Sequence, residues 1–478
     1  MKKLIIFLIA LLLLPVNVLA ANCYTSDNIN YYPGTQEAPT LLRDDVQQCI
    51  TDGAGDGDTI HLKAGTEDWT TTTTSWTNKN LSIVGAGIDQ TNILAAGIAF
   101  DITVTTKASF RVSGITFSGT TGGTGVVLLR GNGTDSSTYG WRIDHLRFNY
   151  STQSGVVPIL VKGITWGVID NCYFEGTGYE AIISYGFVNS DDALVPKQYG
   201  KKSWELPLNL GTNEAVYIED CHFLFSTTNL PFINDIWQGG RQVIRYNEIN
   251  PGIVQAHPAR GVYRAGAKYE IYNNVFTGGG YGVPSSLRGG TGVIFNNQVT
   301  GYVTNDFEID NWRTCSTSTA PFDTRCDGGN AYDGNTAGES GWPCVDQVGR
   351  GTEGTYGSQP SVPLYGWKNG SESTCVGGGV CDNSVDIVLN ADFDLCSSSP
   401  PPTLSTHLKT TGDGSPHTGG VLDYVNNGAT PKPGYTPYGT YACGRYYHPL
   451  RDDIPGCNAV LGTGGTMAMG SGGTINLN

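Results

Sequence analysis

One short phrase, an asparagine or aspartate set just before an apolar or aromatic residue, returns along this chain at long and nearly constant intervals. It reads Ile169-Asp170-Asn171-Cys172-Tyr173-Phe174 in one place, Ile271-Tyr272-Asn273-Asn274-Val275-Phe276 in another and Ile294-Phe295-Asn296-Asn297-Gln298-Val299 in a third. Taking Phe117, Phe148, Phe174, Phe223, Ile249, Phe276 and Val299 as equivalents, the steps are 31, 26, 49, 26, 27 and 23 residues. A period near 25 with one double-length step is the signature of a solenoid in which each coil is one repeat. An antiparallel sandwich, the structural rival, gives turn signals every ~8–12 residues instead of one phrase at fixed long spacing. The repeats therefore predict an all-β parallel β-helix, with alternating apolar residues pointing into a narrow core. An Asn at a turn can bond to the Asn one coil away, satisfying polar groups that would otherwise be buried unpaired.

The ends of such a coil expose sheet edges and need covers. Thr40 to Ile50, apolar at Leu41, Leu42, Val46 and Ile50, predicts a short amphipathic cap helix, with Asp58–Leu62 and Leu81–Val84 as the first strands. The double step contains Phe187 to Asn213, either a degenerate coil or a long loop beside the groove; if it is a loop, Cys172 and Cys221 sit in bonding register. From about Cys315 no coil phrase is visible, and this region is expected to fold back along or over the end. Eight of the twelve cysteines fall after residue 310. Cys23 with Cys49, Cys315 with Cys326, Cys375 with Cys381, and Cys443 with Cys457 are the first expectations for disulfides. The division is residues 1–20 as signal peptide, 21–57 as arm and cap, 58–312 as β-helix and 313–478 as an irregular, cysteine-rich extension.

Lys2 and Lys3, an apolar run from Leu4 to about Val16, and Val18-Leu19-Ala20 together read as a secretory signal. The run is too short to span a bilayer, which takes ~20 residues, so no transmembrane segment is expected and the mature chain is placed outside the cytoplasm. Cysteine usage agrees, since that compartment permits disulfides. The formal charge is −15, with 43 acidic residues against 28 basic ones. Loss of Lys2 and Lys3 makes it more negative still, and nucleic acid is a poor partner for such a surface.

Asp56-Gly57-Asp58-Thr59-Ile60-His61-Leu62-Lys63-Ala64-Gly65-Thr66, followed by Leu81-Ser82-Ile83-Val84-Gly85-Ala86-Gly87, resembles the opening turns of the pectate-lyase-like superfamily. Glu270 to Phe276 looks like its repeats, and Gly341 to Gly351 with His448-Pro449-Leu450 resembles a C-terminal region of uncharacterised bacterial secreted members. The resemblance covers about residues 40–310 and implies a right-handed coil. That superfamily holds lyases, hydrolases, epimerases, esterases and non-catalytic adhesins, so the fold does not select the reaction. The residue sets of polygalacturonase-like hydrolases are absent, and Arg142-Ile143-Asp144-His145 only echoes the phrase of calcium pectate lyases.

Charges registered against the repeat make one column on the coil. Asp235 lies 14 before Ile249, Arg260 16 and Arg264 12 before Phe276, Arg288 11 before Val299 and Lys162 12 before Phe174. Elimination from a uronic acid needs its carboxylate neutralised, a proton removed by a base and the leaving oxygen protonated. Arg264 and Arg288 suit the first task and His257 or Arg260 the second, His257 being the cheaper base because arginine titrates above ~12. Asp235 is expected to orient His257 or to share a calcium ion with Glu214. Lys162 and Arg241, with the flat faces of Trp237, Tyr263 and Tyr281, are the expected substrate contacts. Glu308, Asp310 and Asp306 form a second acidic set suited to hydrolysis or calcium. The functional expectation is a polyuronate lyase or other carbohydrate-active enzyme. The alternative is a non-catalytic glycan-binding, adhesive or structural surface protein, in which these charges are ladder salt bridges.

Overall fold

The computed structural model describes residues 23–454 with interruptions, the longest being 132–137, 151–156, 189–197, 314–344, 372–380 and 395–424, together with 467–469 and 473–475. Within them the chain is a parallel β-solenoid of about nine turns. One turn shows the plan. Phe232–Trp237 lies in a ten-stranded parallel sheet, Arg241–Arg245 and the short Glu248–Asn250 both lie in a twenty-stranded sheet, and Val254–Ala256 returns to the first sheet one coil further on. The turn after Trp237 requires glycine at Gly239. Its φ is +81°, and a Cβ there would stand 2.7 Å from the Gly200 carbonyl oxygen.

The seven equivalents read from the sequence pair directly. Phe117, Phe148, Phe174, Phe223, Ile249, Phe276 and Val299 are successive partners in one register. The four phenylalanines stack face to face inside the coil at 5.3, 5.2 and 4.9 Å between ring centroids. All seven are buried in the main core. The double step is a loop, because Asp170 pairs directly with Glu219 across it. The loop carries a five-residue helix, Lys201–Glu205, whose Trp204 is buried and donates its indole N–H to the Ala265 carbonyl at 2.9 Å.

The two asparagines of each phrase do different work. The first takes a left-handed backbone at the bend between strands, as at Asn171, Asn273 and Asn296 with φ of 51°, 56° and 54°; His145, Asp220, Tyr246 and Lys368 hold the same bend elsewhere. The second builds a buried ladder. Asn247, Asn274 and Asn297 each pass an amide N–H to the next side-chain oxygen at 3.0, 3.0 and 2.9 Å, ending on Asn369, which donates to the Ile294 carbonyl. Cys172 and Cys221 hold the ladder position on earlier coils, both buried and both reduced. The bond that their shared register permits is thus not formed.

At the N-terminal end the cap helix is shorter than its apolar pattern, Arg43–Gln48, and widens into a π-turn over Cys49–Gly53. Cys23 and Cys49 form the expected disulfide. The C-terminal expectation needs correction, because the coil does not stop near residue 312. Phe307–Arg313 pairs with Ile387–Asp394 in the ten-stranded sheet, and Leu364–Trp367 stacks on Thr291–Phe295 and then on Val425–Asn427. Intervals of 72 and 80 residues between paired positions hid these turns, since Phe295 meets Trp367 and Phe307 meets Ile387. The fold-back expectation is met by residues 435–453, which return along the twenty-stranded sheet. Tyr435 donates to Glu270 at 2.6 Å, Arg245 to the Tyr438 carbonyl at 2.7 Å, and Arg142 to Asp453 at 2.7 Å. Cys381 is disulfide-bonded, whereas Cys315, Cys326, Cys344, Cys375, Cys396 and Cys457 lie outside the described residues, as does the expected signal segment.

Candidate functional site

Side chains alternate across a strand, so the neighbours of each core residue face outward. In the ten-stranded sheet Ile236, Ala256, Leu287 and Ile309 are register partners and core residues. The residues after them, Trp237, His257, Arg288 and Asp310, therefore form one outward row, which runs back through Tyr185 and Lys162 to Arg130. The residues before them, Asp235, Gln255, Ser286 and Glu308, form the parallel row beside it.

At the middle of this face His257 meets Asp235. Its Nδ1 lies 2.7 and 2.8 Å from the two carboxylate oxygens. The Gln255 amide is 3.2 Å from the same nitrogen, but the shorter, charge-assisted contact wins. Nδ1 is therefore the nitrogen that donates, toward Asp235, and Nε2 is the one left for other partners. The ring stacks on Trp237 at 4.4 Å between centroids, inclined by 26°. Trp237 in turn packs against Tyr263 at 5.1 Å and Tyr185 at 6.1 Å, and Tyr263 stacks on Tyr199 from the long loop at 5.1 Å. Exposure separates the roles: the Asp235 side chain is 2% exposed and that of His257 is 23%. The histidine can meet a ligand while the aspartate holds it from behind.

Glu180, one coil before Asp235, completes the group. Burial, and then the negative charge of Asp235, push its carboxyl up to about 8, an effect that Arg288 partly offsets. Both effects favour its protonated form. The same burial, followed by Asp235 and Glu180, raises the Tyr185 hydroxyl. Two coils on from His257, burial and then Asp310 and Asp306 push Glu308 up to about 7. Asp310 accepts from the Ser286 hydroxyl at 2.9 Å.

The remaining expected residues divide sharply. Arg260 is exposed at the base of a tight hairpin, Arg260 to Tyr263, closed by backbone bonds of 2.9 and 2.8 Å in both directions. Arg264 does not face the groove: it is fully buried, bidentate to Asp346 at 2.7 and 2.7 Å and bonded to Glu353 at 2.8 Å. Equal offsets misplaced it because residues 257–267 are an extra loop, and His257 takes the register position that counting assigned to Arg264. Arg241 is also withdrawn from substrate binding, since it is buried on the other sheet and donates to the Ser203, Leu206 and Pro207 carbonyls. Burial lowers it to about 10. Lys162 stays in the outward row, 5.9 Å over the Tyr185 ring, with burial and then Arg130 lowering its ammonium.

Glu214 precedes a strand of the twenty-stranded sheet and accepts from Asn209 at 2.8 Å, so it does not share a calcium ion with Asp235. Among the described residues no group of three or more potential ligands could hold a metal. Tyr281 lies outside them. Ladder salt bridges do form between coils, but on the twenty-stranded sheet and from residues outside the expected column. There Arg111 is bidentate to Asp144, Arg142 to Asp170, and Arg245 bonds Glu219. Arg142-Ile143-Asp144-His145 belongs to that network, which docks the returning chain.

Sequence reasoning missed Glu180, Tyr185, Gln255 and Tyr199. Glu180 opens an ordinary apolar strand, and only stacking brings it beside Asp235. No family model, no curated protein and no solved structure matches this chain.

Proposed function

We propose that the protein is a secreted, polysaccharide-acting member of the pectate-lyase-like group and that the His257 face cleaves a polyuronate by elimination. The observation that carries this reading is the Asp235–His257 pair, held against Trp237 in the outward row of the sheet, with the Glu180 carboxyl on the preceding coil. A uronate chain along the row would stack its sugars on Trp237 and Tyr263 and set its carboxylate against Arg288, with Arg260 reaching in from the hairpin. Nε2 of His257 would take the proton α to that carboxylate. The electrons of that C–H bond would form the C4–C5 double bond as the C4–O bond breaks, and Glu180 would give its proton to the leaving oxygen. A hydrolase using the Glu180 and Asp235 carboxyls fits less well, because Asp235 is sealed behind His257.

The test is incubation of the purified chain with alginate, pectate, glucuronan and hyaluronan, following the absorbance of the unsaturated product. Product from at least one polymer, lost in His257→Ala, supports the proposal. Absence of product on every polymer, with binding retained, would leave the non-catalytic glycan-binding reading.

A further inference from the structure

Two buried thiols have no part in the candidate chemistry. Cys172 and Cys221 lie on adjacent coils at one register position. Asp170 pairs with Glu219 just before them and Tyr173 with His222 just after, and the His222 amide donates to the Cys172 carbonyl at 2.8 Å. Both side chains are buried in the main core. Adjacent strands stand ~4.8 Å apart, and two cysteines can be bridged when their Cα atoms are ~4.4–6.8 Å apart. The two coils can therefore be joined without displacing either.

A thiol pair does a different job at this position from the asparagines that follow it. Asn247 donates to the Ile218 carbonyl of the preceding coil at 2.9 Å and also passes an amide N–H to Asn274. Cys221 and Cys172 make the first kind of contact only at 3.7 and 3.8 Å, to the Ile169 and Ile143 carbonyls. One weak S–H donor cannot serve both bonds as an amide does, so the rung between these coils lacks the strength of an amide rung. A covalent bond would restore it. The long insertion falls between the same two coils, with 49 residues from Cys172 to Cys221 against 26 from Cys221 to Asn247. Closing a longer loop costs more chain entropy, and a cross-link removes that cost from the unfolded state. Glu180, Tyr185, Tyr199 and Trp204 all lie inside this loop.

We propose that Cys172 and Cys221 form an inter-coil disulfide, a redox-dependent staple across the long loop, with a small-molecule disulfide such as oxidised glutathione as the oxidant. One cysteine thiolate attacks the S–S bond of the reagent, giving a mixed disulfide and releasing one reduced thiol. The second cysteine thiolate attacks the protein sulfur of that mixed disulfide and releases the other. Two protons and two electrons leave the protein, and the reagent becomes two thiols. Burial, and then the adjacent Cys221 thiol, push the Cys172 thiol well above its ordinary value, so the attacking thiolate is scarce in the closed coil. Exchange therefore runs while the coils are open, before folding is complete. The staple is independent of whatever the His257 face does.

The experiment is cell-free synthesis of the full chain, in a mixture of oxidised and reduced glutathione and in parallel in excess dithiothreitol, with alkylated, unreduced digests mapped by mass spectrometry. A cross-linked peptide pair carrying Cys172 and Cys221 is expected from the first and two alkylated thiols from the second. Oxidised wild type is also expected to unfold about tenfold more slowly than an oxidised Cys172→Ala, Cys221→Ala double variant, with a smaller gap between the two when both are reduced. Should the double variant fail to fold, the peptide map of the wild type decides alone. The proposal is overturned if the chain made in glutathione carries both cysteines as free thiols, if either is bonded to a different cysteine, or if the gap in unfolding rate is the same in the oxidised and reduced forms.

Discussion

At the scale of single residues, the candidate chemistry rests on which nitrogen of His257 carries the proton. Asp235 fixes that, so His257→Ala is expected to lower elimination by about 10²-fold or more. Asp235→Asn, which keeps the shape but loses the charge that selects the tautomer, is expected to give an intermediate loss. Rates of unsaturated-product formation check both. Glu180 adds a pH dependence whose sign is set by its raised carboxyl. A folded-state value above the unfolded one favours the protonated fold. The stabilisation is complete below the ordinary glutamate value near 4.5 and is lost as pH rises through about 8. Thermal melts between pH 5 and 9 are expected to show stability falling over that window, with a shallower fall in Glu180→Gln, Glu308 contributing in the same direction. A wild-type slope identical to that of the variant would refute the assignment.

At the scale of elements, the coil is organised by its bend. From Asn171 to Lys368 one residue per turn adopts the left-handed backbone, and the next contributes a buried amide or thiol to the ladder. Asn274 sits inside that ladder, donating to Asn297 and to the Ile244 carbonyl and accepting from Asn247. Asn274→Leu would leave buried partners on both adjacent coils unsatisfied, at a cost of about 2–4 kcal/mol. The denaturant midpoint measures it, and a loss below half a kilocalorie would show that the ladder is not needed for stability. At the N-terminal end the Cys23–Cys49 bridge closes a loop of 26 residues. Replacing both cysteines by serine is expected to cost about 3 kcal/mol and to loosen the cap first, seen as early amide exchange at residues 43–53.

For the whole molecule, the controlling feature is that the chain after residue 312 is both more coil and a cover. Arg264 ties the loop beside the groove to Asp346 and Glu353 of that later segment, with all three side chains out of solvent. Arg264→Met would leave two buried carboxylates without their cation, a loss of about 3–5 kcal/mol. It is expected to appear as a lower melting temperature and new protease cleavage near residues 345–353. No helix among the described residues is long and apolar enough to cross a membrane.

The sequence by itself determined the parallel coil, because core position and bend position recur in it directly. Each of Phe117, Phe148, Phe174, Phe223, Ile249, Phe276 and Val299 meets the partner that spacing assigned. It also determined the Cys23–Cys49 staple, the cap helix and the outward placement of His257 and Asp235. The content of each surface row was decided only by the tertiary structure, because loops of different length enter between one coil position and the next. Counting back from the core residue therefore placed Arg264 where His257 stands, and could not see that Glu180 approaches Asp235 or that Asp346, 82 residues away, claims Arg264. Register along a strand is a local property written in alternation. Proximity between coils depends on how much chain each loop consumes, and that is known only once the coils are stacked.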